Sequence, residues 1–391
     1  MKVWHVEGVA GSKQKVLLAT PAYGDLCPEY VMSLFQGQQA LIEAGISAHL
    51  MILAGNCHVD DSRNRLVRDF LDTDCTDMVF IDSDVRYHGK DLVKLVSYDR
   101  DVVAGVYPFK QNNEDYPVRL LPGDLTTDAD GLLEVKSVPT GFLRIKRHVL
   151  ELLASKVPGF HCKKDSPSSR KMPIIFERTL EGQTRWGGDY EFCRKWKAEG
   201  GKIYVDPEME FGHVGNSEWY GSLSSFLLRK NGLNDVYIKR ELRKLERGED
   251  IDFNILWEAW NNLWAAMPDF LITMHLMAKE TTGIILEVGS GLSTLILGAS
   301  TKQPIYVLEN DLEWAEKMHA WITSMGWNHV HIYHCPIKDY GEFNWYEIPD
   351  DLPEFDFIVC DGPREKLGRY GLVPILGSKE AISINGAIPI T

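Results

Sequence analysis

The chain has 391 residues, 44% of them hydrophobic and 25% charged. That is enough apolar material for two or three packed domains and too much for a disordered chain. A formal net charge of −14 excludes a protein whose whole surface is built to hold nucleic acid. The acidic excess is shared: residues 1–220 carry 27 Lys+Arg against 32 Asp+Glu, and residues 281–391 carry 7 against 15. The seven cysteines are scattered, odd in number and never spaced C-x-x-C. They read as reduced thiols of a cytoplasmic protein, not as a disulfide framework or zinc site. The first twenty residues lack the apolar core of a secretory signal, and no run approaches the ~18 apolar residues of a membrane span.

In chain order, "KVLLATPAY" (15–23) predicts a strand, "EYVMSLFQGQQALIEAG" (29–45) a helix stopped by Gly45, and "SAHLMILAG" (47–55) a strand. "DDSRNRLVRDFLDT" (60–73) predicts a helix opened by Asp and Ser, and "DMVFID" (77–82) and "DVVAGVYPF" (101–109) two more strands. Repeated strand–helix–strand units with near-continuous apolar strands imply an α/β fold with a mostly parallel sheet covered on both faces. Residues 156–185 are polar and rich in Gly, Pro and Ser, so a long loop or hairpin is expected. The stretch 221–280 is helical, first charged and then Trp-rich. It reads as a connector whose aromatic stripe is core. A second α/β pattern follows: "IILEVGSG" (284–291), a helix, "PIYVLEND" (304–311), a helix from Leu312, "VHIYHC" (330–335), "FDFIVCDGP" (355–363) and "GAIPIT" (386–391). The expected domains are therefore 1–220, 221–280 and 281–391.

The run Met78-Val79-Phe80-Ile81 ends in Asp82-Ser83-Asp84. Strand ends in parallel sheets border the crevice where ligands bind. Two carboxylates there repel and lose hydration, and a divalent cation removes both problems. The tripeptide alone fits a helix cap or turn equally well.

Its surroundings resemble the GT-A fold glycosyltransferases (family 2-like), in which Asp82-Ser83-Asp84 would be the D-x-D motif. The resemblance covers residues 15–220. It implies that Asp84 binds a metal bridging the diphosphate of a nucleotide-sugar, and that Asp82 contacts the ribose or the metal. "ATPAY" resembles the segment cupping the nucleobase (Thr20, Pro21, Ala22, Tyr23), and "DSRNRL" the basic segment that brings Arg63 and Asn64 to the nucleotide. "VPTGFLRIKRHVLE" resembles the segment bordering the acceptor and sugar pocket, with Thr140 and Gly141 at its turn. "WGGDYEFCRKWKAEGGKIYVDPEMEFGHVG" resembles the region of the catalytic acid, with Asp189 as base, Trp186 and Gly188 beside the acceptor, and His213 as a late metal ligand. Many relatives have Glu-Asp where this chain has Gly188-Asp189. For Asp189 the plain reading is a helix N-cap, and for Trp186 packing.

"IILEVGSGLSTLILG" (284–298) joins a strand, a Gly-rich turn and a helix. It resembles motif I of class I S-adenosylmethionine-dependent methyltransferases, with Ser293 at the third glycine position. The resemblance implies a Rossmann-like domain binding that cofactor through Glu287, Gly289 and Gly291. Glu309, 22 residues after Glu287, would accept the ribose hydroxyls, and Asp361 would stand at the cofactor edge. A family member usually continues further, so this domain is expected to be incomplete and cofactor binding is better supported than methyl transfer.

Together these readings predict a metal-dependent (Mn²⁺ or Mg²⁺) glycosyltransferase. It would move a sugar from a UDP- or GDP-linked donor to an acceptor hydroxyl, inverting if Asp189 is an in-line base. The fused domain binds S-adenosylmethionine and methylates the same product by analogy only. The acceptor, whether glycan, lipid-linked or nucleic acid, stays open, as does a homo-oligomer. One alternative acts on modified DNA through the basic pairs Lys163-Lys164 and Arg170-Lys171. Another is a catalytically weak nucleotide-binding scaffold.

Overall fold

A computed structural model describes residues 2–4, 11–123, 125–161, 169–350, 352–363, 371–372 and 381–383. The chain divides into two compact units, Met1–Leu227 and Leu228–Thr391. Both are mixed α/β.

The first unit is built on a nine-stranded sheet in the order Lys2–Trp4, Ser47–Ala54, Lys15–Ala22, Asp77–Ile81, Phe142–Lys146, Val102–Ala104, Tyr204–Val205, Leu133–Ser137, Arg119–Leu120. Lys15–Ala22 pairs in parallel with both Ser47–Ala54 and Asp77–Ile81. Alternate side chains of these strands enter separate cores. Val16, Leu18, Val79 and Ile81 meet Tyr30, Leu34 and Leu92, from the helices Pro28–Glu43 and Gly89–Ser97. Leu17, Ala19, Met78 and Phe80 meet Leu66, Val67 and Phe70 from the helix Val59–Leu71. Both faces are thus covered, and the strands read as unbroken apolar runs.

Beyond this centre the sheet is mixed, which corrects the mostly parallel expectation. Phe142–Lys146 runs antiparallel to Asp77–Ile81 and to Val102–Ala104. Among the described residues no helix lies between Val102–Ala104 and Phe142–Lys146, and a return without a crossover helix runs antiparallel. The polar stretch 156–185 holds two small hairpins, Gly159–Phe160 with Met172–Pro173 and Thr179–Glu181 with Thr184–Trp186. Lys163 and Lys164 lie outside the described residues, and Arg170 is paired with Asp72 at 2.8 Å.

The second unit has five parallel strands in the order Val330–His334, Ile305–Glu309, Ile285–Val288, Phe357–Cys360, Ala381–Ser383. The strand expected at 386–391 lies outside the described residues. The helices Asn234–Glu246, Phe253–Trp260 and Pro268–Glu280 fall in this unit. Their Tyr237, Leu242, Leu256, Leu271 and Met274 share a core with Leu295, Ile296 and Met318. The connector expected over 221–280 is therefore divided. Helix Leu223–Lys230 straddles the boundary, and the rest completes the second core. Among the described residues no helix is long and apolar enough to cross a membrane.

Candidate functional site

In the first unit, five segments distant in sequence converge where the strand Asp77–Ile81 ends. The chain turns there: the Asp82 N–H donates to Gly141 O at 3.0 Å, and the Val85 N–H to Asp82 O at 3.2 Å. Val85 and Arg86 then pair with His213 and Gly212, and the Val214 N–H donates to Asp84 O at 2.8 Å. That small sheet places His213 beside Asp84. Its Nδ1 lies 2.8 Å from Pro108 O, an oxygen that only accepts, so Nδ1 holds the proton and Nε2 faces Asp84 Oδ2 at 3.7 Å.

Arg63 comes from the helix Val59–Leu71 and is almost fully buried. Its guanidinium joins Asp189 to Asp82, at 3.3 and 3.4 Å from the two Asp82 oxygens. The helix Gly188–Ala198 is capped by Gly187, so Asp189 sits inside the first turn and is not the cap. Its carboxylate accepts from Arg63 and, at 3.3 Å, from the Thr140 N–H. A carboxylate has about four acceptor positions, so Asp189 keeps room for a further donor. Gly141 has to be glycine: a Cβ there would strike Asp82 and the Tyr107 hydroxyl. Gly188 likewise leaves space for Asp60.

Burial pushes the Asp82 carboxyl up, with Asp189 and Asp84 adding to the rise and Arg63 opposing it. Burial also acts upward on Asp84, but the neighbouring His213 and Lys110 outweigh it and carry the group down to about 2. Burial of the Arg63 guanidinium is overcome by Asp189 and Asp82, which leave it more basic than usual. The first acid is thus tied to a buried arginine and the second to a partly exposed lysine, Lys110.

Other expected residues are placed differently. Asn64 does not face a ligand: its Nδ2 donates to Phe176 O at 2.7 Å, and its Oδ1 accepts from Ile175 N and Phe176 N at 3.0 and 2.8 Å. It pins the segment leading into the second hairpin. Thr20 is buried with its hydroxyl 2.6 Å from Tyr30 Oη, and Pro21 and Ala22 are buried too. Only Tyr23, 76% exposed, is open to solvent. The Ser83 carbonyl accepts from Cys27 N at 3.2 Å. Trp186 donates Nε1–H to Glu181 at 3.1 Å, with the Arg119 guanidinium 4.4 Å from its ring centre. Among the described residues no three His, Cys, Asp or Glu side chains are grouped as a ligand set. Asp82 faces Arg63 and Tyr107, so Asp84 and His213 stand as a pair. Sequence reasoning missed Tyr107 and Lys110, whose Nζ lies 2.5 Å from Asp84 Oδ2. Only their place after an apolar strand hinted at them.

The second unit holds a cleft of about 340 Å³ where its central strands end. Gly289, Ser290, Gly291, Glu309, Asp361 and Trp264 are among its walls. Gly289 has φ +87° and packs on the backbone of Gly362, which no side chain would permit. Glu309 Oε2 accepts from Ser290 N at 2.9 Å and Ser290 Oγ at 2.6 Å, and its Oε1 from Asp311 N at 2.9 Å. Glu287 does not reach the cleft. It is fully buried beneath the first turn of the helix Leu292–Ser300, and neither oxygen has a hydrogen-bond partner among the described residues. Burial raises it to about 8; the nearby Ser293 and Thr294 hydroxyls pull the other way without reaching bonding geometry. Trp260, expected in the core, is half-buried: it packs at 6.3 Å from Trp314 and 5.7 Å from Trp321 and also lines the cleft. Trp264 is 80% exposed over the cleft.

No family model matches the chain, and no curated protein matches it. Among solved structures it is similar to the crystal structure of A197 from STIV, at 20% identity and TM-score 0.36, over 54% of this chain and 91% of that one. It is also similar to a methyltransferase-like protein from Silicibacter pomeroyi, at 22% identity and TM-score 0.18, over 24% of this chain and 58% of that one.

Proposed function

We propose that the first unit is a GT-A type glycosyltransferase that moves a sugar from a nucleotide diphosphate to an acceptor hydroxyl. The observation that carries this reading is the convergence at one strand end of Asp82 and Asp189, joined by the buried Arg63, with Asp84 and His213 beside them. The donor set suits Mg²⁺ or Mn²⁺. Such ions are held by one or two protein ligands with the remaining oxygens from phosphate and water. Asp84 and His213, with its Nε2 turned to Asp84, would hold the ion, which would neutralise the diphosphate leaving group. Asp189 takes the proton of the acceptor hydroxyl through a free oxygen position, and Arg63 keeps its carboxylate oriented. The Thr140 N–H fixes its second oxygen. An in-line arrangement of this base inverts the anomeric centre.

Screening UDP- and GDP-sugars for Mn²⁺-stimulated hydrolysis tests the reading and identifies the donor. Asp84→Ala should reduce that hydrolysis to the metal-free background, and a fully active variant would sink the assignment. A second reading, a nucleotide-binding scaffold that needs no metal, is favoured by the Lys110 ammonium already seated on Asp84. It predicts nucleotide binding unchanged by a chelator.

For the second unit we infer a methyltransferase-type, Rossmann-like domain whose cleft takes S-adenosylmethionine. The bound edge of Glu309 at a Gly-rich turn supports this reading.

A further inference from the structure

Counted by charge, the first site holds three carboxylates, Asp82, Asp84 and Asp189, against two fixed cations, Arg63 and Lys110. The two cations are held differently. Arg63 is buried and fastened at both ends of its fork. Lys110 lies on the rim, with about a third of its side chain exposed, and among the described residues it pairs with Asp84 Oδ2. That same oxygen is the one His213 Nε2 faces. The lysine's reach is built into the backbone. The Phe109 N–H donates to Asp115 O at 2.9 Å and closes the loop that carries it. Its stem passes over Gly215, where a Cβ would come 3.2 Å from Lys110 Cδ. A side chain at position 215, two residues after His213, would press on that path.

On the glycosyltransferase reading above, we propose that Lys110 is the resident counter-ion of Asp84. It yields the carboxylate to a divalent cation and carries its ammonium onto the diphosphate of the donor. The charges favour the exchange. With Lys110 withdrawn, three carboxylates and Arg63 leave a deficit of two, which a divalent ion balances. The returning ammonium then adds one positive charge where the diphosphate is strongly negative. An ammonium is a compact charge on a flexible four-carbon stem and suits such a movement, as an arginine fork would not. The same contact would make the empty site compete against its own metal.

Mn²⁺ binding to the full chain, followed by electron paramagnetic resonance without nucleotide, tests this directly. Lys110→Met keeps the stem and removes the charge, and it should bind Mn²⁺ about tenfold more tightly than wild type. With Mn²⁺ saturating, the same variant should bind UDP or GDP about tenfold more weakly by calorimetry. Lys110→Arg should keep the weak metal binding of wild type. Equal Mn²⁺ affinity in wild type and Lys110→Met would overturn the exchange and leave the glycosyltransferase reading standing. No Mn²⁺ binding to either protein would overturn both. Tighter metal with unchanged nucleotide affinity would overturn the second half, the transfer of the ammonium to the diphosphate.

Discussion

The two candidate sites handle buried acids in opposite ways. In the first unit, Asp82 and Asp189 are joined by a buried guanidinium, and Asp84 is held by Lys110 and faced by His213. In the second, no Lys or Arg is among the described residues that wall the cleft. Glu309 is satisfied there by backbone N–H groups and a serine, and Glu287 has no hydrogen-bond partner among the described residues. Fixed cations beside carboxylates keep the acids ionised and ready for a strongly charged ligand. Acids served only by neutral donors suit hydroxyl groups, and an acid with none stays protonated. On the proposed readings the first site would take a diphosphate and the second a nucleoside.

The largest effect that would break the contrast is at Arg63. Replacing it with methionine leaves Asp82 and Asp189 facing each other without their cation, at a cost of about 3–5 kcal/mol. Urea unfolding of the first unit should show that loss, and a change below about 1 kcal/mol would mean the guanidinium is not the keystone of the cluster. Glu287 comes next and has the opposite sign. Its carboxyl is raised from 4.5 to about 8 by burial. The folded state therefore holds a proton that the unfolded chain releases above its ordinary range. The contribution of this group is full below about pH 4.5, falls as pH rises through about 8, and is then level. The slope is roughly 1.4 kcal/mol per pH unit. Glu287→Gln should flatten the pH dependence of the second unit's thermal transition. It should gain on wild type by on the order of 2–4 kcal/mol between pH 5 and 8.5. Parallel curves would mean that Glu287 is ionised in the fold.

Much of this architecture can be read from local pattern. The strand ending at Ile81, the helices at 28–43 and 312–325, and the second-unit strands at 285–288, 305–309, 330–334 and 357–360 fall within their apolar runs, whereas the short pair Ile337–Asp339 and Asn344–Tyr346 is not among the expected strands. Asp84 and His213 could be singled out because each stands near the end of a strand, and Asp189 because it opens a helix. What could not be read is pairing across long separations. Arg63 meets Asp189 126 residues away, and Lys110 meets Asp84 26 away, with nothing in the spacing of "YPFK" to announce it. Asn64 shows the converse. A polar residue beside a candidate ligand looks functional in sequence. The backbone of 175–176, which uses up its amide, enters only through the fold. The antiparallel entry of Phe142–Lys146 was hidden for a similar reason, because strand direction depends on a connection and not on composition.

The smallest expected effect sharpens the comparison at Glu309. Both its oxygens are engaged, Oε2 by Ser290 N and Oγ and Oε1 by Asp311 N. Glu309→Gln is close to isosteric but has one acceptor oxygen where the carboxylate has two. Whichever way the amide turns, its NH₂ meets a backbone N–H, of Ser290 or of Asp311, and one donor loses its partner. The structural cost should be about 1 kcal/mol. The lost acceptor should weaken S-adenosylmethionine binding about tenfold, since two ribose hydroxyls would compete for one oxygen. Calorimetry on the full chain separates the two outcomes. Weaker binding with a small stability loss fits an acid that serves a ribose. A stability loss with unchanged affinity would make Glu309 a clasp for the Gly-rich turn and move the ligand elsewhere in the cleft.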